Sequence, residues 1–156
     1  MLDFIKKQWI GFYAAIVAVV FIIVSFALVI SNGNTEYYGD VGSLGGIIAM
    51  LIISLVLVIA ANVVAQLSFA DNKFVSIGID VVRAVAAMLV IIAGIAFIGE
   101  RIESFGYIYG SNLELGNDAA FAAGGQAITT IIICVIAWVL ALIAACFSVK
   151  RKTAAA

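Results

Sequence analysis

The chain has 156 residues, of which 66% are hydrophobic and 11% charged, with no proline and no histidine. Its mean hydropathy is +1.28, whereas a soluble domain is about half apolar and a quarter charged. That composition is read as an integral membrane protein, and its length leaves no room for a separate soluble catalytic module. The missing histidine excludes His-ligated haem, Ser-His and Cys-His catalytic pairs, and imidazole metal ligands. Cys134 and Cys146 are 12 positions apart in one apolar stretch, about 18 Å along a helix, beyond the roughly 7 Å limit for a disulfide.

A helix crosses the hydrocarbon core of about 30 Å with about 20 apolar residues. Four windows meet that length, at residues 9–31, 43–66, 77–98 and 126–147. The expected fold is all-α: an antiparallel bundle of four transmembrane helices filling one domain, residues 1–152, with a short tail at 153–156. The first window follows Lys6 and Lys7 but is longer than a signal-peptide core, which runs about 7 to 15 residues, so it is read as a retained span. Within it Gly11 and Ala15 begin a small-residue spacing, and Trp9 and Tyr13 fit an interfacial belt.

The first outer loop, 32–42, is a Gly/Asn/Asp turn region holding Glu36, Tyr37, Tyr38 and Asp40. The second span opens with Gly42 and Gly46, a G-x-x-x-G spacing that suits close helix approach. Ser54 is the one conventional polar residue in the central stretches of the four spans, and this dry midplane argues against a proton relay or a conventional secondary transporter. Asn62 and Gln66 lie near the end of that span.

In the third span Asp80 and Arg83 share a helical face. Two readings are open for them: an interfacial ion pair with Arg83 snorkelling to headgroups, or an intramembrane polar cluster with Asn62 and Gln66. The second outer loop, 99–125, is expected to form a small ordered cap. Phe105, Tyr107 and Tyr109 alternate there with Gly106, Ile108 and Gly110, a period of two that predicts a short strand or extended segment. Asn117-Asp118 resembles a helix N-cap, and Gly124-Gly125 would weaken the helix there, with a kink or a break. In that span Ala137, Ala141 and Ala145 form a further small-residue stripe.

Seven of the eight basic residues fall on the side of the termini, and Arg101 alone falls opposite, so the termini are expected to be cytoplasmic. The outer face then nets -5 and the inner face +4. Tyr107, Tyr109, Glu100, Glu103 and Glu114 are candidates for contact with an outer partner. No calcium-loop spacing, phosphate loop, nucleophile elbow or zinc-helix motif is present. No cofactor, metal site or nucleic-acid partner is therefore expected. Lys150-Arg151-Lys152 is a topology anchor for anionic lipid.

The small first and larger second outer loops resemble the layout of tetraspanin-type and MARVEL-type membrane scaffolds, without the Cys-Cys-Gly pattern or paired outer cysteines of tetraspanins. The likeness is one of layout and carries over no residue. The leading expectation is a non-enzymatic scaffold, accessory or assembly subunit in a plasma membrane of bacterial cytoplasmic type. Its partners would be the lipid bilayer and another membrane protein or a second copy. An oligomeric channel or transporter for a cation or small solute is the alternative.

Overall fold

A computed structural model describes residues 8–39, 42–67, 70 and 72–149. These form four helices in chain order: α1 (Ile10–Gly33), α2 (Gly45–Val64), α3 (Lys73–Gly110) and α4 (Asp118–Cys146). All four are long and apolar enough to cross a membrane, and no β-strand occurs among the described residues. Only 28 to 39% of each most apolar window is buried inside the protein. The remainder is half-buried or exposed, with Ile16, Val20, Ile53, Val56, Ile95 and Ile132 among the exposed. A continuous apolar surface of that extent is stable against lipid and not against water, so this is a membrane protein whose helices contact the bilayer.

The helix ends follow from local chemistry. Asn72 and Asn117 cap α3 and α4, their side-chain oxygens accepting from Phe74 N and Ala120 N at 2.9 and 3.1 Å. Asp118 adds a carboxylate to the first turn of α4, where the helix dipole favours negative charge. The start of α1 has no side-chain cap. Instead Trp9 N and Gly11 N donate to the carbonyls of Val149 and Ser148, 2.8 and 3.2 Å away, so the segment after α4 satisfies donors that a helix start leaves open. A Cβ on Gly11 would collide with the carbonyls of Phe147 and Ser148, and glycine permits that approach.

Three corrections concern the second connector. Residues 99–110 are helical and belong to α3, so the alternation at Phe105, Tyr107 and Tyr109 does not mark a strand. α3 has 38 residues, a rise of about 57 Å against a hydrocarbon core of about 30 Å, and it projects beyond any span. The connector is reduced to residues 111–117, and α4 runs unbroken through Gly124-Gly125.

The buried face of α1 reads Gly11, Ala15, Ala18, Ile22, Ser25, Val29 and Asn32, a 4-3 spacing that keeps one stripe inward. It packs most extensively on α4; α3 packs on both α2 and α4, and α1 against α2 is the least extensive of these four pairings. The middle of the interior is alanine-rich, with Ala18, Ala87 and Ala141 in one cluster, because small residues let helix backbones approach in lipid. Larger side chains, among them Val29, Tyr38, Leu51 and Phe97, fill the end near the 34–44 and 111–117 connectors. That end is called the connector end below, and the end joining Gln8, Gln66 and residues 147–149 the terminal end.

Candidate functional site

Two arginines are buried, one toward each end. At the connector end Arg101 is wholly inaccessible. Once residues 99–110 continue α3, Arg101 falls four positions after Phe97 on the buried stripe. Its Nε donates to Asn32 Oδ1 at 3.0 Å, and Asn32 Nδ2 donates onward to the Ala123 carbonyl at 3.0 Å. The guanidinium carbon stands 4.1 Å from the centre of the Tyr38 ring and 5.4 Å from that of Phe97. A desolvated cation over an aromatic face gains about 2 kcal/mol, and a hydrogen bond to a charged group about 1.5 to 3. Together these contacts offset part of the cost of withdrawing the charge from water. One side chain thus ties α1, α3, α4 and the first connector.

The surroundings are shaped to the same end. Gly42 has φ +77°, a left-handed conformation that suits glycine, and a Cβ there would strike the Glu100 carboxylate. Farther along the bundle, away from Arg101, Ser54 Oγ donates to the Ala86 carbonyl at 2.8 Å and joins α2 to α3. Gln126 Nε2 donates to Ser31 Oγ at 2.8 Å and joins α4 to α1. Tyr37 OH donates to Glu114 Oε1 at 3.2 Å, and Glu114 Oε2 accepts from Asn117 Nδ2 at 2.7 Å, which joins the two connectors. Burial, and after it the neighbouring Glu114 charge, pushes the Tyr37 hydroxyl pKa upward. Burial also raises that of Tyr38, against the opposing pull of Arg101.

At the terminal end Arg83 is 3% exposed. Its Nη1 donates to the Phe147 carbonyl at 3.2 Å and its Nη2 to Asn62 Oδ1 at 3.4 Å. Gln66 pairs with Gln8 instead, each amide donating to the other at 3.0 and 3.3 Å. Asp80 is exposed; its charge acts on Arg83, but the hydrogen-bonded partners of the guanidinium are neutral. Of the four residues expected to cluster, the structure therefore brings Arg83 and Asn62 together, places Gln66 on Gln8, and leaves Asp80 at the surface.

The expected packing residues also divide. Ala137 and Ala141 lie on the buried stripe of α4, while Ala145 is half-buried beside it. Gly42 precedes α2, and Gly46 is exposed with no neighbour within 4 Å of a notional Cβ. The pair is therefore not a helix seam inside this protein. Cys134 is buried, Cys146 is exposed, and both are free.

The expected outer contact residues are engaged in several local contacts at the connector end. Tyr107 OH donates to Glu103 Oε1 at 2.9 Å on an exposed turn of α3. Tyr109 packs edge-on against Phe121 with ring centres 5.8 Å apart, over Gly124. Glu100 is half-buried beside Gly42, and Glu114 is engaged as described. Leu113 and Leu115, which sequence reasoning passed over, protrude from the connector with 74% and 78% exposure. Arg101, Asn32 and Tyr38 were also missed. The available signal was the 4-3 stripe of α1, which continues from Val29 to Asn32. No family model, curated protein or solved structure matches the chain.

Proposed function

We propose that this protein is a non-enzymatic scaffold, accessory or assembly subunit of a membrane complex. In this reading it is an antiparallel four-helix bundle in a plasma membrane of bacterial cytoplasmic type. The positive-inside distribution of lysine and arginine sets its termini in the cytoplasm and its connector end outside. The carrying observation is the Arg101 knot, in which a fully buried cation joins three helices and the first connector through Asn32 and Tyr38. Such a knot holds the projecting ends of α3 and α4 in fixed relation. It thereby offers Leu113, Leu115, Tyr107 and Glu103 to a partner from a rigid support, and a preorganised surface loses less entropy on binding.

The test is native mass spectrometry of the protein gently extracted from its own membrane, beside the variant Leu113→Asp/Leu115→Asp. A reproducible heteromeric complex that the double variant loses, at unchanged thermal stability, supports the reading. A discrete homo-oligomer indifferent to the double variant, with selective ion flux in liposomes, overturns it in favour of a channel.

A further inference from the structure

At the connector end two leucines face water rather than lipid. α2 has 20 residues, a rise of about 30 Å, which matches the thickness of the hydrocarbon core. α2 and α3 meet in reversed order: Leu51 shares a cluster with Phe97, Val58 with Ala86 and Val90, and Ala61 with Ile79. The Ser54–Ala86 hydrogen bond at 2.8 Å sets the register and brings Ile95 level with Gly45, where α2 begins. From Ile95 to Gly110 α3 rises about 22 Å more, whereas the headgroup layer on each side is about 5 to 8 Å deep. The tip that joins α3 to α4 therefore stands clear of the bilayer. Leu113 and Leu115 on that tip, 74% and 78% exposed, are beyond the reach of lipid.

The two leucines are held in place by their own turn. Leu113 N donates to Ser111 Oγ at 3.2 Å and Leu115 N to the Asn112 carbonyl at 3.4 Å. Between them Glu114 accepts from Tyr37 and Asn117. Apolar side chains on a fixed turn lose little freedom when they dock.

Charge then selects the occupant. At this end Glu36, Glu103 and Asp118 are exposed and Glu100 and Glu114 half-buried, while Arg101, the one described cation there, is wholly enclosed. Among the described residues, every charge that this end turns to solvent is therefore negative. A second copy would bring the same sign against it, because Lys73 and Arg83, the other described cations, lie at the terminal end. The complementary surface is an apolar pocket with a cationic rim.

Resting on the subunit reading, we propose that residues 111–118 are the docking site for a basic protein surface in the aqueous compartment. Its apolar pocket takes Leu113 and Leu115, and its lysine or arginine rim faces Glu114, Asp118 and the acidic end behind them.

The experiment pans a random dodecapeptide phage library against the full chain in phosphatidylcholine nanodiscs, after depletion on empty nanodiscs. Enriched peptides are expected to combine apolar side chains with lysine or arginine. They should bind Leu113→Ser/Leu115→Ser about tenfold or more weakly, since two apolar contacts are lost, with the thermal stability of the chain unchanged. Their binding should also fall about tenfold or more between roughly 50 and 500 mM salt. The proposal is overturned if no peptide is enriched, if the enriched peptides are neutral or acidic, or if they bind the serine variant equally well. A heteromeric complex that Leu113→Asp/Leu115→Asp loses but high salt leaves intact keeps the subunit reading and rejects the basic partner. Basic, apolar peptides that need the leucines support the site even where native mass spectrometry finds no heteromer, a result that counts against the subunit reading alone.

Discussion

The two buried arginines solve one problem in different ways. Arg101 is closed in, with an amide acceptor at 3.0 Å and a ring on which to lie at 4.1 Å. Arg83 has longer contacts, 3.2 and 3.4 Å, to a backbone carbonyl and to an amide that borders a groove. The difference separates a cation used as a joint from a cation held close to an opening. A fully enclosed charge has to be satisfied by the fold alone, so its neighbours are committed: Asn32 to Ala123, Gly42 to the space beside Glu100.

The sharpest way to break that contrast is to change the acceptor rather than the cation. Asn32→Leu removes the acceptor of Arg101 Nε and the link to Ala123 while the charge stays enclosed, and should cost about 3 kcal/mol or more, by analogy with halving a buried ion pair. Arg101→Met removes the charge and its desolvation cost together, with the Asn32 oxygen among the groups left short of a donor, and should cost about 1 to 2 kcal/mol. Thermal unfolding in detergent ranks the two. If Arg101→Met proves the more damaging, the stacked cation itself contributes the stability and the acceptor is secondary.

The closed site was hidden in the sequence for a physical reason. The four apolar windows announce themselves through hydropathy, and α1 to α4 fall on them; the Asn117 cap announces itself through a side chain that can reach back to its own helix. The helical stripe Phe97, Arg101, Ser104, Ile108 has no such mark, because two of its four members are polar. The alternation of Phe105, Tyr107 and Tyr109 imposes a competing period of two. In the structure the pairs that touch are four apart, Glu103 with Tyr107 and Phe105 with Tyr109, as a helix requires. Nearness of Arg83 to Asn62 was readable because both lie close to the same ends of adjacent spans. The Arg101–Asn32 bond joins residues 69 apart, and no local pattern encodes it.

At the open end the same substitution logic gives a smaller effect. Arg83→Leu loses two long hydrogen bonds to neutral groups and should lower stability by about 1 kcal/mol. The melting temperature should therefore fall less than in Asn32→Leu. A fall as large would mean that Arg83 is a joint like Arg101.

The smallest effect belongs to the polar link between the connectors, where Tyr37 donates to Glu114. The folded-state pKa of Tyr37 is raised from 10.0, so folding favours the protonated phenol. Its contribution is then fully present below the unfolded value and is lost as pH rises through the folded one. Stability should decline only in that alkaline window, together with the appearance of tyrosinate absorbance. Because burial is the larger cause and Glu114 the second, Glu114→Gln should move the Tyr37 midpoint down only part of the way to its ordinary value, at a stability cost of about 0.5 to 1 kcal/mol for one exchanged hydrogen bond. A midpoint that returns the whole way would mean that the carboxylate, rather than enclosure, holds the proton.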